Sequence, residues 1–182
     1  MKFDPSGGYR RLDSWVMASI VQFANFRFCE RFVTRTIDPT GRQYDQMTQA
    51  ARSGKVNIVE GSARSSTSKE TEMKLTDVAR ASLAELHSDY EDWLLRKELA
   101  PWRKDSPEAQ AVYAMRLDKP EYGDDVVHDS CVHILEQKKK FARWLQSDEH
   151  EVFANAMLIL LSRTINMLIR QKEAQGESFA QE

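Results

Sequence analysis

The stretch Gln49 to Gly61, QAARSGKVNIVEG, constrains this chain more than any other, because small residues recur on one side of a segment otherwise rich in helix formers. Ala50, Gly54, Asn57 and Gly61 are spaced by four, three and four positions. At about 3.6 residues per turn they fall on one stripe, which lets a neighbouring backbone approach closely and leaves Asn57 and Glu60 in need of polar partners. A glycine inside a helix costs roughly 1 kcal/mol relative to alanine. Close packing offsets that cost, so the stripe predicts a tight helix crossing and no chemistry of its own.

The rest of the chain reads as helix too. Hydrophobic residues make up 41% and charged residues 30%, with only seven Gly and five Pro, and apolar positions recur at three and four. That pattern predicts an all-α protein, and 182 residues fit a single domain with a real core. Asp38-Pro39-Thr40-Gly41 is a turn by composition, Ser65 to Ser68 is a polar connector whose last residues can cap a helix, and Pro101 with Trp102 marks a further end. The expected architecture is an up-and-down antiparallel four-helix bundle, 1–182, with core helices at about 9–36, 42–64, 69–99 and 149–173. A helical insertion, 101–148, lies between the third and fourth of these, and the tail from Gln175 is expected to fray.

The first helix has apolar residues on two sides. One stripe is Leu12, Val16, Ser19, Phe23 and Phe26; the second is Met17, Val21, Ala24, Phe28 and Phe32. A helix in a monomeric bundle needs one broad apolar face, so the second stripe calls for another cover. The expectation is a second subunit seated on Met17, Val21, Phe28 and Phe32. The alternative is that residues 101–148 fold back over it.

Charge is uneven along the chain. Residues 1–65 hold ten Lys/Arg against six Asp/Glu, residues 66–130 hold nine against fifteen, and residues 131–182 hold seven of each. Arg27, Arg31 and Arg35 at four-residue spacing form a basic ridge on the first helix, and Arg52 with Lys55 a shorter one on the second. Such ridges can meet successive phosphates; the alternative is an exposed face or ion pairs with the acidic third helix. Lys138-Lys139-Lys140 with Arg143 and Trp144 is a third basic stretch, read as a solvated helix face.

No recognisable reaction centre emerges. Asp125, His128, Cys131 and His133 are the densest group of metal-ligand types, but on a helix His133 points away from the others. There is no Glu-x-x-His pair of the di-iron kind, and neither Cys29 nor any Ser sits in a nucleophile motif. The expectation is no enzyme, no metal and no cofactor. Two cysteines far apart, no secretory leader and no apolar run near 18 residues point to the cytoplasm and away from a membrane.

Three sets of residues carry a resemblance over roughly 9–100. They are Tyr9, Leu12 and Trp15; Gln46, Ala50, Ser53, Asn57, Ile58, Glu60 and Gly61; and Ala79, Ser82, Leu83 and Glu85. In this order they resemble the bacterial four-helix-bundle family of ribosomal RNA intervening-sequence proteins, which is related to the accessory variability determinant protein of diversity-generating retroelements. The resemblance implies a five-membered ring and accessory work on RNA or DNA, or on a ribonucleoprotein partner such as a reverse transcriptase. A structural scaffold that binds only protein is the alternative. The remaining chain is longer than the family's usual fourth helix, and the net charge of −2 departs from the strongly basic retroelement protein.

Overall fold

The computed structural model describes residues 8–181, and within them the chain is all-helical. A 3-10 turn, Gly8–Arg11, leads into α1 (Asp13–Phe32), α2 (Arg42–Arg64) and α3 (Lys69–Arg96). Three shorter helices follow, α4 (Pro107–Ala114), α5 (Val126–Lys139) and α6 (Ala142–Leu145), and then the long α7 (His150–Ala180). The ends follow from local chemistry. Ser68 accepts a hydrogen bond from the Thr71 N–H, Ser106 from the Ala109 N–H with Pro107 at the first helical position, and Asp125 from the His128 N–H. At α2 the cap comes from outside the helix. The buried Asp38 carboxylate accepts from the Gln43 and Tyr44 N–H groups at 3.2 and 3.0 Å, while Gly41 takes φ +71° to turn the chain into α2.

The first helix is shorter than the sequence predicts. It stops at Phe32, and Thr34 O accepts from the N–H groups of Ile37 and Asp38, so Arg35 and Thr36 belong to a turn. The last helix is longer, running through Gln175 to Ala180. Gln175 is buried, donating to Glu72 Oε1 at 3.1 Å and accepting from Thr76 Oγ1 at 3.1 Å, so the expected fraying is corrected by a polar clasp between α3 and α7. By length and composition α7 could also cross a membrane, an apolar stretch overlooked in the sequence. Here Phe153 through Leu161 are all buried against other helices.

The four long helices touch in a closed cycle, α1 with α2, α2 with α3, α3 with α7 and α7 with α1. Three of these pairs run in opposite directions. Ser53 meets Ser82 while Gly61 lies against Thr76; Thr76 meets Gln175 while Trp93 meets His150; Ser14 meets Gln171 while Phe28 meets Phe153. The small stripe lies on the α2–α3 contact. A Cβ added at Gly54 would sit 2.5 Å from Leu83 Cδ2, inside van der Waals contact, so only glycine lets the two helices come this close.

Phe28 is at the centre of the core. Its ring lies 5.1 Å from Phe32, 4.9 Å from Tyr90, 5.1 Å from Trp93 and 5.3 Å from Phe153, all edge-on or tilted, and the Tyr90 hydroxyl donates to the buried Asn25 at 2.8 Å. The expected subunit contact is therefore corrected. Met17, Val21 and Phe28 are 0% exposed within the single chain, and Phe32 is half-buried beside Phe28, Phe153 and His150. Their stripe faces α3 and α7. The other stripe is open only at its C-terminal end, where Phe23 is 39% and Phe26 43% exposed, while Val16 and Ser19 are 0% exposed.

Candidate functional site

The predicted arginine ridge does not form. Arg31 bends to the α6–α7 junction, donating to Ser147 O at 3.1 Å and pairing with the Asp148 carboxylate. Arg35 lies beyond the end of α1, where its guanidinium packs over Gly41 and reaches Pro39 O. Ending α1 at Phe32 removes the helical register that would have aligned the three. Arg27 stays exposed on α1 itself and has no ion pair among the described residues. On α2, Lys55 is half-buried and Arg52 exposed one turn before it.

A different arrangement gathers around Arg27. Helices α5 and α6 run along α1 in the same direction, with Arg10 donating to Ser130 at 2.9 Å near one end and Arg31 reaching Ser147 near the other. Between them is a depression of about 270 Å³ lined by Ala24 and Arg27 from α1, Leu135, Lys138 and Lys139 from α5, and Ala142, Leu145 and Gln146. Phe23 borders it. Lys55 Nζ lies 5.0 Å and Lys138 Nζ 5.9 Å from the Phe23 ring centroid, so one exposed aromatic ring holds two ammonium groups within cation–π range. Lys55 also lies 5.9 Å from the Trp15 ring, and its burial lowers its pKa from the ordinary lysine value.

Among the described residues, none of Arg27, Lys55, Lys138 and Lys139 forms an ion pair. The neighbouring cations differ. Lys140 pairs with Asp118, and Arg143 lies 4.0 Å from the Trp144 ring centroid. The structure thus brings Arg27 and Lys55 together with two lysines from the third basic stretch, and leaves Arg31 and Arg35 elsewhere. Phe23 was missed as a site residue because periodicity places it on an apolar stripe without saying that this end of the stripe stays open.

On the other flank of α2 the surface is acidic. A groove lined by Gln46, Gln49, Ser53, Ser82, Glu85 and Asp89 separates α2 from α3, and burial, then Asp92 and Glu85, raise the Asp89 pKa. The metal-type residues of α5 disperse. Asp125 is a helix cap, His128 bonds Asp129, Cys131 is exposed, and buried His133 lies edge-on to Tyr122, with ring centroids 5.8 Å apart. Among the described residues no three His, Cys, Asp or Glu converge. Comparison of the chain with protein-family models, with curated proteins and with solved structures gives no match.

Proposed function

We propose that this chain is an accessory protein that binds RNA through the basic and aromatic surface between α1 and α5. The carrying observation is Phe23, exposed and bracketed by Lys55 and Lys138, with Arg27 and Lys139 on the adjoining depression and, among the described residues, no ion pair on any of these four cations. Unpaired cations supply the phosphate attraction, and an open aromatic ring supplies a face on which an unpaired base can stack. The scaffold in this proposal is an up-and-down antiparallel four-helix bundle of α1, α2, α3 and α7 with α4 to α6 inserted. Its support is the closed cycle of long-helix contacts and the opposed directions of neighbouring pairs.

The resemblance adds a ribonucleoprotein partner such as a reverse transcriptase and a ring of identical subunits. A ring would draw on surface residues, since Met17, Val21 and Phe28 are enclosed. A protein-binding scaffold is the second reading, favoured by the exposed Val127 at 55% and Leu135 at 56% on α5.

Mobility shifts with a single-stranded and a hairpin RNA at several salt concentrations test the proposal. With up to four phosphate contacts, log affinity for the single strand should fall against log salt with a slope of about −2 to −3. Arg27→Gln, Lys138→Gln and Lys139→Gln together should flatten that slope. Equal binding by wild type and triple variant rejects this surface, and no binding by either transfers the proposal to the protein scaffold.

A further inference from the structure

A second site lies away from the basic surface, where α4 and the strand of chain before it cover the α3–α7 seam. His87 and Glu91 occupy successive turns of α3, and Ser162 faces them from α7. Glu91 Oε1 lies 2.7 Å from His87 Nδ1, and His87 Nε2 lies 3.2 Å from Ser162 Oγ. With Nδ1–H donated to the carboxylate, Nε2 is left as the acceptor for the Ser162 hydroxyl proton. That is the order of contacts, acid to imidazole to hydroxyl, that makes a serine nucleophilic. All three residues line one pocket of about 200 Å³.

We propose that Ser162, His87 and Glu91 form a serine-hydrolase relay acting on small carboxylic esters, independent of RNA binding. Pro101, Trp102, Tyr113, Leu158 and Ile159 wall the pocket, which suits a short acyl or aryl group. Lys104 is the one Lys or Arg on the lining and is assigned to the developing oxyanion. Asn155, also on the lining, is already committed: its Oδ1 accepts from the Trp102 N–H and its Nδ2 donates to Glu151 O. The relay is reachable from solvent, since the side chains of His87 and Glu91 are 27% and 47% exposed.

In the first half-reaction Ser162 Oγ bonds to the ester carbonyl carbon while its proton passes to His87 Nε2. The proton then moves to the leaving oxygen as the C–O bond breaks, releasing the alcohol. Water attacks the acyl-serine by the same exchange, giving a carboxylic acid and the free hydroxyl. Glu91 holds the imidazole in orientation throughout. Because Ser162 is inside α7, its own N–H belongs to the helix and supplies no oxyanion donor, so turnover is expected to be slow.

The test is a fluorophosphonate probe, with p-nitrophenyl acetate hydrolysis as a second readout. The folded full chain should gain one phosphonyl adduct, mapped to Ser162 by mass spectrometry of the digest. Ser162→Ala should abolish it, and His87→Gln should slow labelling and hydrolysis about 100-fold with the circular-dichroism spectrum unchanged. Mapping the wild-type adduct needs no variant. No adduct on the folded wild type, or an adduct on another residue, overturns the proposal.

Discussion

The two apolar stripes of α1 have nearly the same composition, yet only one keeps its residues buried from Met17 to Phe28. The inner face buries Met17, Val21 and Phe28 among α3 and α7, and its rings touch other rings. The other stripe buries Val16 and Ser19 but sets Phe23 and Phe26 half in water, and Phe23 lies within cation–π range of two ammonium groups. The difference teaches that an apolar stripe is only a supply of surface. Which stripe becomes core depends on the helices that arrive, and what the remaining stripe can do depends on the charges around it.

Thiol chemistry should separate the two environments most sharply. Each has one cysteine: Cys29 is fully buried within α1, and Cys131 is exposed on α5. Burial, then the nearby Asp89, Asp38 and Glu30, push the Cys29 thiol up to about 12. A rise of about three units lowers the thiolate fraction near pH 8 by about 1,000-fold, so a disulfide reagent should modify one thiol per native chain rapidly and the second only on unfolding. Two thiols reacting at equal rates would erase the contrast. The sign of the linkage is alkaline: the folded state retains this proton better than the unfolded chain, so its contribution is complete below the ordinary thiol pKa and is lost as pH climbs towards 12.

Ring truncation gives the next largest effect. Phe28→Ala should destabilise by about 3 to 5 kcal/mol through transfer and cavity costs, whereas Phe23→Ala should stay within about 0.5 kcal/mol in urea unfolding. Similar losses would mean that both faces are core. On RNA affinity the ranking should reverse, with Phe23→Ala weakening binding by about 1 to 3 kcal/mol while the fold is kept.

At the α2–α3 crossing, Gly54→Leu should cost about 1 to 3 kcal/mol, because even its Cβ would meet Leu83; an unchanged thermal midpoint would contradict the close approach. The smallest effect belongs to Arg31→Gln. Its partner Asp148 is 91% exposed, so water screens the pair and stability should shift by less than about 1 kcal/mol. RNA binding should also be unchanged, in contrast to Arg27→Gln. If both substitutions weaken RNA equally, the sequence-predicted ridge is restored over the α1–α5 surface.

Much of the fold was legible because it is written in local patterns. The bounds of α2 follow from a turn and a polar connector, the cap at Ser68 from the last residues of that connector, and the tight crossing from the small stripe. Choosing the inward stripe of α1 was not local, since it depends on α3 and α7 arriving on one side. The candidate site was legible only in part. Arg27 and Lys55 stood out by spacing, but their alignment with Lys138 and Lys139 depends on how α5 lies along α1, which no periodicity within either helix encodes. The meeting of His87 with Ser162, 75 positions apart, is of the same kind.

The seating of α7 has a consequence for synthesis. Ser14 bonds Gln171 across 157 positions, and Phe28, Tyr90 and Trp93 are closed over by Phe153 and His150. A chain made from its N-terminus completes α1 to α3 while α7 is still in the ribosome, and those rings then have no cover. Local pairings such as the Asp38 clasp at the α1–α2 turn can form early, whereas the long-range closure comes last. The nascent chain therefore passes through a sticky stage that ends only when its last helix emerges, which makes truncation within α7 more hazardous for solubility than any loss from the α1–α5 surface.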